Sequence, residues 1–139
     1  EAVERMFQAR WVETLDDLMG EADILSLHCP AGPGTHHMID ARRIGLMKDG
    51  ASLINTARGD VIDQAALVAA LKDGKIGGAG LDVFEKEPEV PAELIAMENT
   101  VLLPHLGSAT TETREDMGHM VADNLDAFFA GKEPPNRVA

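Results

Sequence analysis

The chain has 139 residues, 45% of them hydrophobic and 26% charged, which is enough apolar material for one globular domain and no more. A formal charge of −12 with no run of Lys or Arg argues against nucleic acid or an anionic membrane surface as a partner, so any anionic ligand must be captured locally. The single cysteine, Cys29, rules out an intrachain disulfide framework, and without an apolar leader or an apolar run near 20 residues the cytoplasm is the expected compartment.

In chain order, apolar runs rich in Val, Ile, Leu and Ala alternate with stretches of helical period, the pattern of βα units on a parallel sheet. Thr14, with Asp17 three residues on, reads as the N-cap of a short helix, and Asp23 to His28 then reads as a buried strand. Cys29 suits the end of that strand as a small, buried apolar residue. The run PAGPG follows as a loop. Asp40 is placed to cap a helix carrying Ile44 and Met47, with Gly50 as its stop, and Ala51 to Asn55 is the second strand.

Asp63 is placed to cap the next helix, whose Ala66, Leu67, Ala70 and Leu71 form an apolar stripe before Gly74 closes it. Gly77 to Val83 is the third strand, followed by the charged, proline-containing loop EKEPEVP. Thr100 to Leu103 is the fourth, ended by Pro104. A last helix of about 20 residues begins at Thr110 or Thr111 and runs to Gly131. Its stripe of Met117, Met120, Val121, Leu125 and Phe128 suits core or interdomain packing.

Three chemically distinct groups lie at or just past the ends of these strands, where α/β proteins meet their ligands: Arg58 in NTARGD, Glu87 in GLDVFEKEP and His105 in LLPHLGSAT. A cation, a carboxylate and an imidazole are the parts needed to hold an α-keto acid, polarise its carbonyl and move a proton. Taken singly, each has a plainer role, as a surface cation, a solvated carboxylate or a loop histidine. Glu85 and Glu87 are equivalent on chemistry alone. His28, His36, His37 and His119 suit surface or packing roles, since no Cys or carboxylate set completes a metal site around them.

Four runs, LHCPAGPGTHHMI, LMKDGASLINTARGDVIDQAALVAAL, GGAGLDVFEKEP and NTVLLPHLGSATTETRE, stand in an order and at a spacing that resemble the D-isomer-specific 2-hydroxyacid dehydrogenase family. Within it they are most similar to the glyoxylate and hydroxypyruvate reductases and glycerate dehydrogenases. The resemblance runs from about Leu25 to the ending GKEPPNRVA. It implies an α/β fold, the second half of a Rossmann-like parallel-sheet dinucleotide-binding domain with a long C-terminal helix. Residues 1–110 would be the C-terminal part of the NAD(P)-binding domain, and 111–139 a helix and tail returning toward a substrate domain.

The same resemblance implies roles. His105 would be the acid–base group for hydride transfer between NAD(P)H and a small 2-keto acid such as glyoxylate or hydroxypyruvate. Glu87, five positions after Asp82, would be its carboxylate partner, and Arg58 would bind the substrate carboxylate with a planar fork that Lys cannot reproduce. Thr56, Ala57, Arg58, Asp82, His105, Gly107 and Ser108 would border the nicotinamide side of NAD or NADP, and Cys29 and Pro30 the nucleotide nearer the first strand. No metal is implied, and the family forms homodimers.

Such enzymes open their nucleotide domain with GxGxxG, which this chain lacks: Gly78 and Gly80 have Val83 where the third glycine belongs and lie inside a strand. The chain therefore reads as the C-terminal half of an enzyme. The alternatives are a dinucleotide-sensing corepressor-type binding protein, which shares the fold and the three residues, or a fragment inactive as isolated.

Overall fold

The computed structural model describes residues 2–138. Helices α1 (Ala2–Phe7) and α2 (Leu15–Glu21) lead into strand β1 (Ile24–Leu27), and α3 (Ala41–Leu46) connects it to β2 (Ser52–Asn55). A 3₁₀ turn (Gly59–Val61) and α4 (Gln64–Lys72) lead to β3 (Gly78–Leu81). Then α5 (Ala92–Ala96) precedes β4 (Thr100–Leu102), and α6 (Thr111–Phe129) follows.

The caps are those the residue types offer. Thr14 accepts from the Asp17 amide at 3.1 Å, Asp40 from Arg43 at 2.8 Å, Asp63 from Ala66 at 3.0 Å and Thr110 from Thr113 at 3.2 Å. At the end of α4, Gly74 takes φ +71°, letting the Gly74 and Lys75 amides reach back to the Leu71 and Ala70 carbonyls at 3.3 and 3.0 Å. Gly50 does not stop α3 as expected. The helix ends at Leu46, and Gly50, at φ +80°, belongs to the following turn, closed by the Ala51 amide on the Lys48 carbonyl at 3.1 Å. Three short elements, α1, the 3₁₀ turn and α5, escape the sequence pattern because they hold too few residues to display a period.

The sheet is wholly parallel in the order β1-β2-β3-β4, with Leu25, Leu53, Ala79 and Thr100 in one row and Leu27, Asn55, Leu81 and Leu102 in the next. A chain that steps one way across parallel strands with crossovers of one hand lays every connecting helix on the same face. The burial agrees: Leu25, Leu27, Leu53, Asn55, Ala79 and Leu81 are buried with Met19, Ile44, Leu67, Leu71 and Leu94 from the helices. The strands are thus half-buried elements, and the buried strand expected over Asp23–His28 is β1, Ile24–Leu27, with only alternate residues buried. Ile24, on the other face, is 69% exposed, and Val101 65%.

The chain divides into two compact units, Glu1–Pro104 and His105–Ala139. The second consists of the turn 105–109, α6 and a tail tied back to α6 by paired hydrogen bonds between Asn124 and Asn136, each 3.0 Å. No residue of α6 is buried, and Met117, Met120, Val121, Leu125 and Phe128 are all exposed. Within its own unit the apolar stripe is therefore left uncovered.

Candidate active site

Loops leave the carboxyl ends of β1, β2 and β3 side by side, because those strands are adjacent and parallel. Between the first two loops lies a cleft of about 550 Å³, lined by His28, Cys29, Pro30, Ala31, Thr56, Ala57 and Arg58. Five of the residues singled out from the sequence therefore share one wall, although Pro30 and Thr56 stand 26 positions apart in the chain. Cys29 is only half-buried, packing on the core while facing the cleft.

The loop after β2 is held from beneath by Asn55, which is 1% exposed. Its Nδ2 donates to the Arg58 carbonyl at 2.9 Å and its Oδ1 accepts from the Ala57 amide at 3.0 Å. Both ends of the buried amide are thus satisfied by the backbone that carries Thr56, Ala57 and Arg58. Arg58 is exposed and extended at φ −146°, and its Nη1 donates to the Ala57 carbonyl at 2.6 Å. Asn55 was not singled out in the sequence. Its signal was a polar residue closing an apolar run at a position whose alternation points inward.

After β3 the chain turns through Asp82, which is 5% exposed and whose amide donates to the Asn55 carbonyl at 3.0 Å. The Glu87 carboxylate folds back onto its own loop, Oε1 accepting from the Phe84 amide at 3.0 Å. Glu85 is engaged differently: its Oε1 meets His37 Nε2 at 2.5 Å, and it exchanges long contacts with Gln64, each 3.4 Å. The two carboxylates that looked alike in sequence are thus separated by structure, Glu85 tied to other loops and Glu87 to its own backbone.

His105, Gly107 and Ser108 belong to the second unit. His105 is exposed and adopts φ +56°, a left-handed conformation uncommon for a side-chain-bearing residue. Leu106 to Ala109 form a turn closed by a 3.0 Å bond from the Ala109 amide to the Leu106 carbonyl, which leads into the Thr110 cap.

The match to known proteins falls on this same arrangement. The family model for "D-isomer specific 2-hydroxyacid dehydrogenase, NAD binding domain" covers residues 1–107. The chain belongs to this family. It is 54% identical over 123 residues to a glyoxylate reductase of Thermococcus litoralis, a match covering 88% of this chain and 37% of that protein. It is 50% identical over 138 residues to a glyoxylate reductase of Pyrococcus horikoshii, covering 99% of this chain and 41% of that one.

A crystal structure of the NADPH-dependent glyoxylate/hydroxypyruvate reductase from Sinorhizobium meliloti, in complex with NADP and malonate, superposes with a TM-score of 0.89 at 40% identity. That superposition spans 94% of this chain and 41% of the other. The chain thus spans less than half the length of the relatives it matches. Its parallel sheet and helices are those of a Rossmann-like NAD-binding domain. Among the described residues no helix is long and apolar enough to cross a membrane, and no cluster of His, Cys, Asp or Glu could hold a metal ion.

Proposed function

We propose that this chain is the catalytic-side half of a reductase that transfers hydride from NADH or NADPH to a small 2-keto acid, glyoxylate or hydroxypyruvate, giving a D-2-hydroxy acid. The observation that carries the reading is the cleft between the loops after β1 and β2, which joins Cys29, Pro30, Thr56, Ala57 and Arg58 in a domain of the NAD-binding family. The cleft's wall suits the nicotinamide side of the coenzyme. It has small side chains at Cys29, Pro30 and Ala57, a Thr56 hydroxyl, and a buried amide that keeps the loop rigid from below.

The coenzyme supplies the hydride. Arg58, held by a stapled loop and exposed at the mouth of the cleft, binds the substrate carboxylate and draws charge onto the carbonyl oxygen. His105 delivers the proton to that oxygen as the hydride arrives and removes it in the reverse direction. Glu87 supplies the carboxylate of the acid–base step. Asp82 borders the carboxamide or its ribose, and Gly107 and Ser108 approach the same ring.

Residues 1–110 act as the C-terminal part of the coenzyme domain, and 111–139 as a helix and tail that return toward a substrate domain. The working protein is a cytoplasmic homodimer, and the chain is inactive without the rest of the polypeptide. The corepressor-type alternative is not favoured, since the relatives matched above are named as reductases.

The test is oxidation of NADH and NADPH by the full-length polypeptide, followed at about 340 nm, the absorbance of the reduced nicotinamide, with glyoxylate, hydroxypyruvate and bulkier 2-keto acids. Turnover of the small acids is expected. Coenzyme binding without turnover of any acid would restore the sensor reading.

A further inference from the structure

The His37–Glu85 contact joins residues 48 apart in sequence, and neither has a part in the chemistry above. His37 sits in the loop after β1 at φ +47°, a left-handed backbone uncommon for a residue with a Cβ. Such a conformation persists only where surroundings over-determine it. Here the His37 amide donates to the Asp60 carbonyl at 2.8 Å, and the next residues pair with the 3₁₀ turn through the Ile39 amide on the Val61 carbonyl at 3.0 Å. The ring is thereby aimed at Glu85, 2.5 Å away, with both side chains partly sheltered. His36 stacks on it at 4.0 Å and has Asp60 at 3.9 Å.

The same Glu85 oxygen, Oε1, also accepts from the Gln64 amide at 3.4 Å, at the start of α4. Two residues on is Glu87, whose carboxylate rests on the Phe84 amide of the same short loop. Phe84 in turn lies against Gly59, immediately after Arg58. The loops after β1, β2 and β3 therefore meet at Glu85.

We infer that His37, through Glu85, is a positioning residue: the pair is a strut that braces the Glu87 loop against the loop bordering the coenzyme. The inference rests on the reading that Glu87 serves the acid–base step. His37 touches neither substrate nor coenzyme in this scheme. It acts on where the Glu87 carboxylate sits.

The test uses the full-length protein. His37→Asn keeps a polar residue tolerant of the left-handed backbone but is too short to reach Glu85, whereas His37→Gln carries its amide nitrogen about as far out as Nε2. His37→Asn and Glu85→Leu should each lower kcat about tenfold or more, with the keto-acid KM and coenzyme affinity held within about twofold, as expected for a misplaced group that acts in the transition state. The double variant should be no worse than the poorer single one, and His37→Gln should stay near wild type. Exchange of the Phe84 amide should accelerate in His37→Asn and not in His37→Gln.

Unchanged kcat and Phe84 exchange in His37→Asn, losses that multiply in the double variant, or a loss confined to coenzyme affinity would each overturn the inference. If the wild-type protein reduces no 2-keto acid, the functional reading falls on its own. The exchange of Phe84 then still decides whether the strut holds the loop.

Discussion

Gly59 packs directly against the backbone of Phe84: a Cβ built on Gly59 would meet the Phe84 carbonyl group and the Glu85 amide nitrogen well inside 3.0 Å, closer than real Cβ atoms come. The glycine after Arg58 is therefore there for close approach, allowing the loops after β2 and β3 to touch through main chain alone.

Gly59→Ala must push these two loops apart, since the obstructing atoms are backbone and have no rotamer to escape into. Overpacking of this kind costs about 1–3 kcal/mol. A lowered urea midpoint for this chain, and reduced kcat in the full-length protein, are expected. A variant as stable and active as wild type would show that the loops are not held together as described.

Asn55→Ala would leave the Ala57 amide and the Arg58 carbonyl without the side chain that satisfies them. Loss of a buried partner costs about 1–3 kcal/mol. Because the staple holds the loop that carries Arg58, the keto-acid KM should rise together with the loss of stability. Equilibrium unfolding and steady-state kinetics on the same preparation check both. An unaltered KM in a destabilised protein would separate Asn55 from substrate binding.

His105→Gln should lower reduction by about 10²- to 10⁴-fold, the range ascribed to a positioned acid–base group, while coenzyme affinity measured by fluorescence titration stays largely intact. Arg58→Lys should raise the keto-acid KM and slow hydride transfer as well, because a point charge replaces a planar fork. Wild-type rates in either variant would remove that residue from the site.

Asp16, in the first turn of α2, is gripped by both arginines of α3: Arg42 through Nη1 and Nη2 at 2.6 and 3.0 Å, and Arg43 through Nε at 2.9 Å. Chiefly the Arg42 bonds, and then those of Arg43, hold its carboxyl down from an ordinary 3.8 to about 2. A carboxyl with a depressed folded pKa stabilises the fold above its unfolded value and loses that contribution as pH falls through the folded one. Asp16→Asn should therefore lower the denaturation midpoint at pH 7, with the gap to wild type narrowing between about pH 4 and pH 2. A gap constant across that range would show that the charge of Asp16 plays no part.

The strands and caps were legible in the chain because they depend on neighbours in sequence. Thr14, Asp40, Asp63 and Thr110 each bond an amide three residues on, and Gly74 closes α4 within one turn. Such local chemistry needs no knowledge of the fold. Gly50 misled because a left-handed glycine marks a turn as readily as a helix end, and α5 passed unseen because five residues show no period. The α6 stripe has the period of a buried face, yet a pattern states only that one face is apolar, not what covers it.

Residue types and their order alone determined the parallel α/β class, the family, and the set from which Arg58, Glu87 and His105 were chosen. Tertiary structure alone decided which residues share a wall. The cleft uniting Cys29 and Pro30 with Thr56 to Arg58 exists because β1 and β2 are neighbours in the sheet. Asn55 acquires its role because strand alternation turns it into the interior beneath the loop it staples. Glu85 and Glu87, chemically identical and two positions apart, part company because His37 approaches one of them from 48 positions away, a separation that no local rule spans.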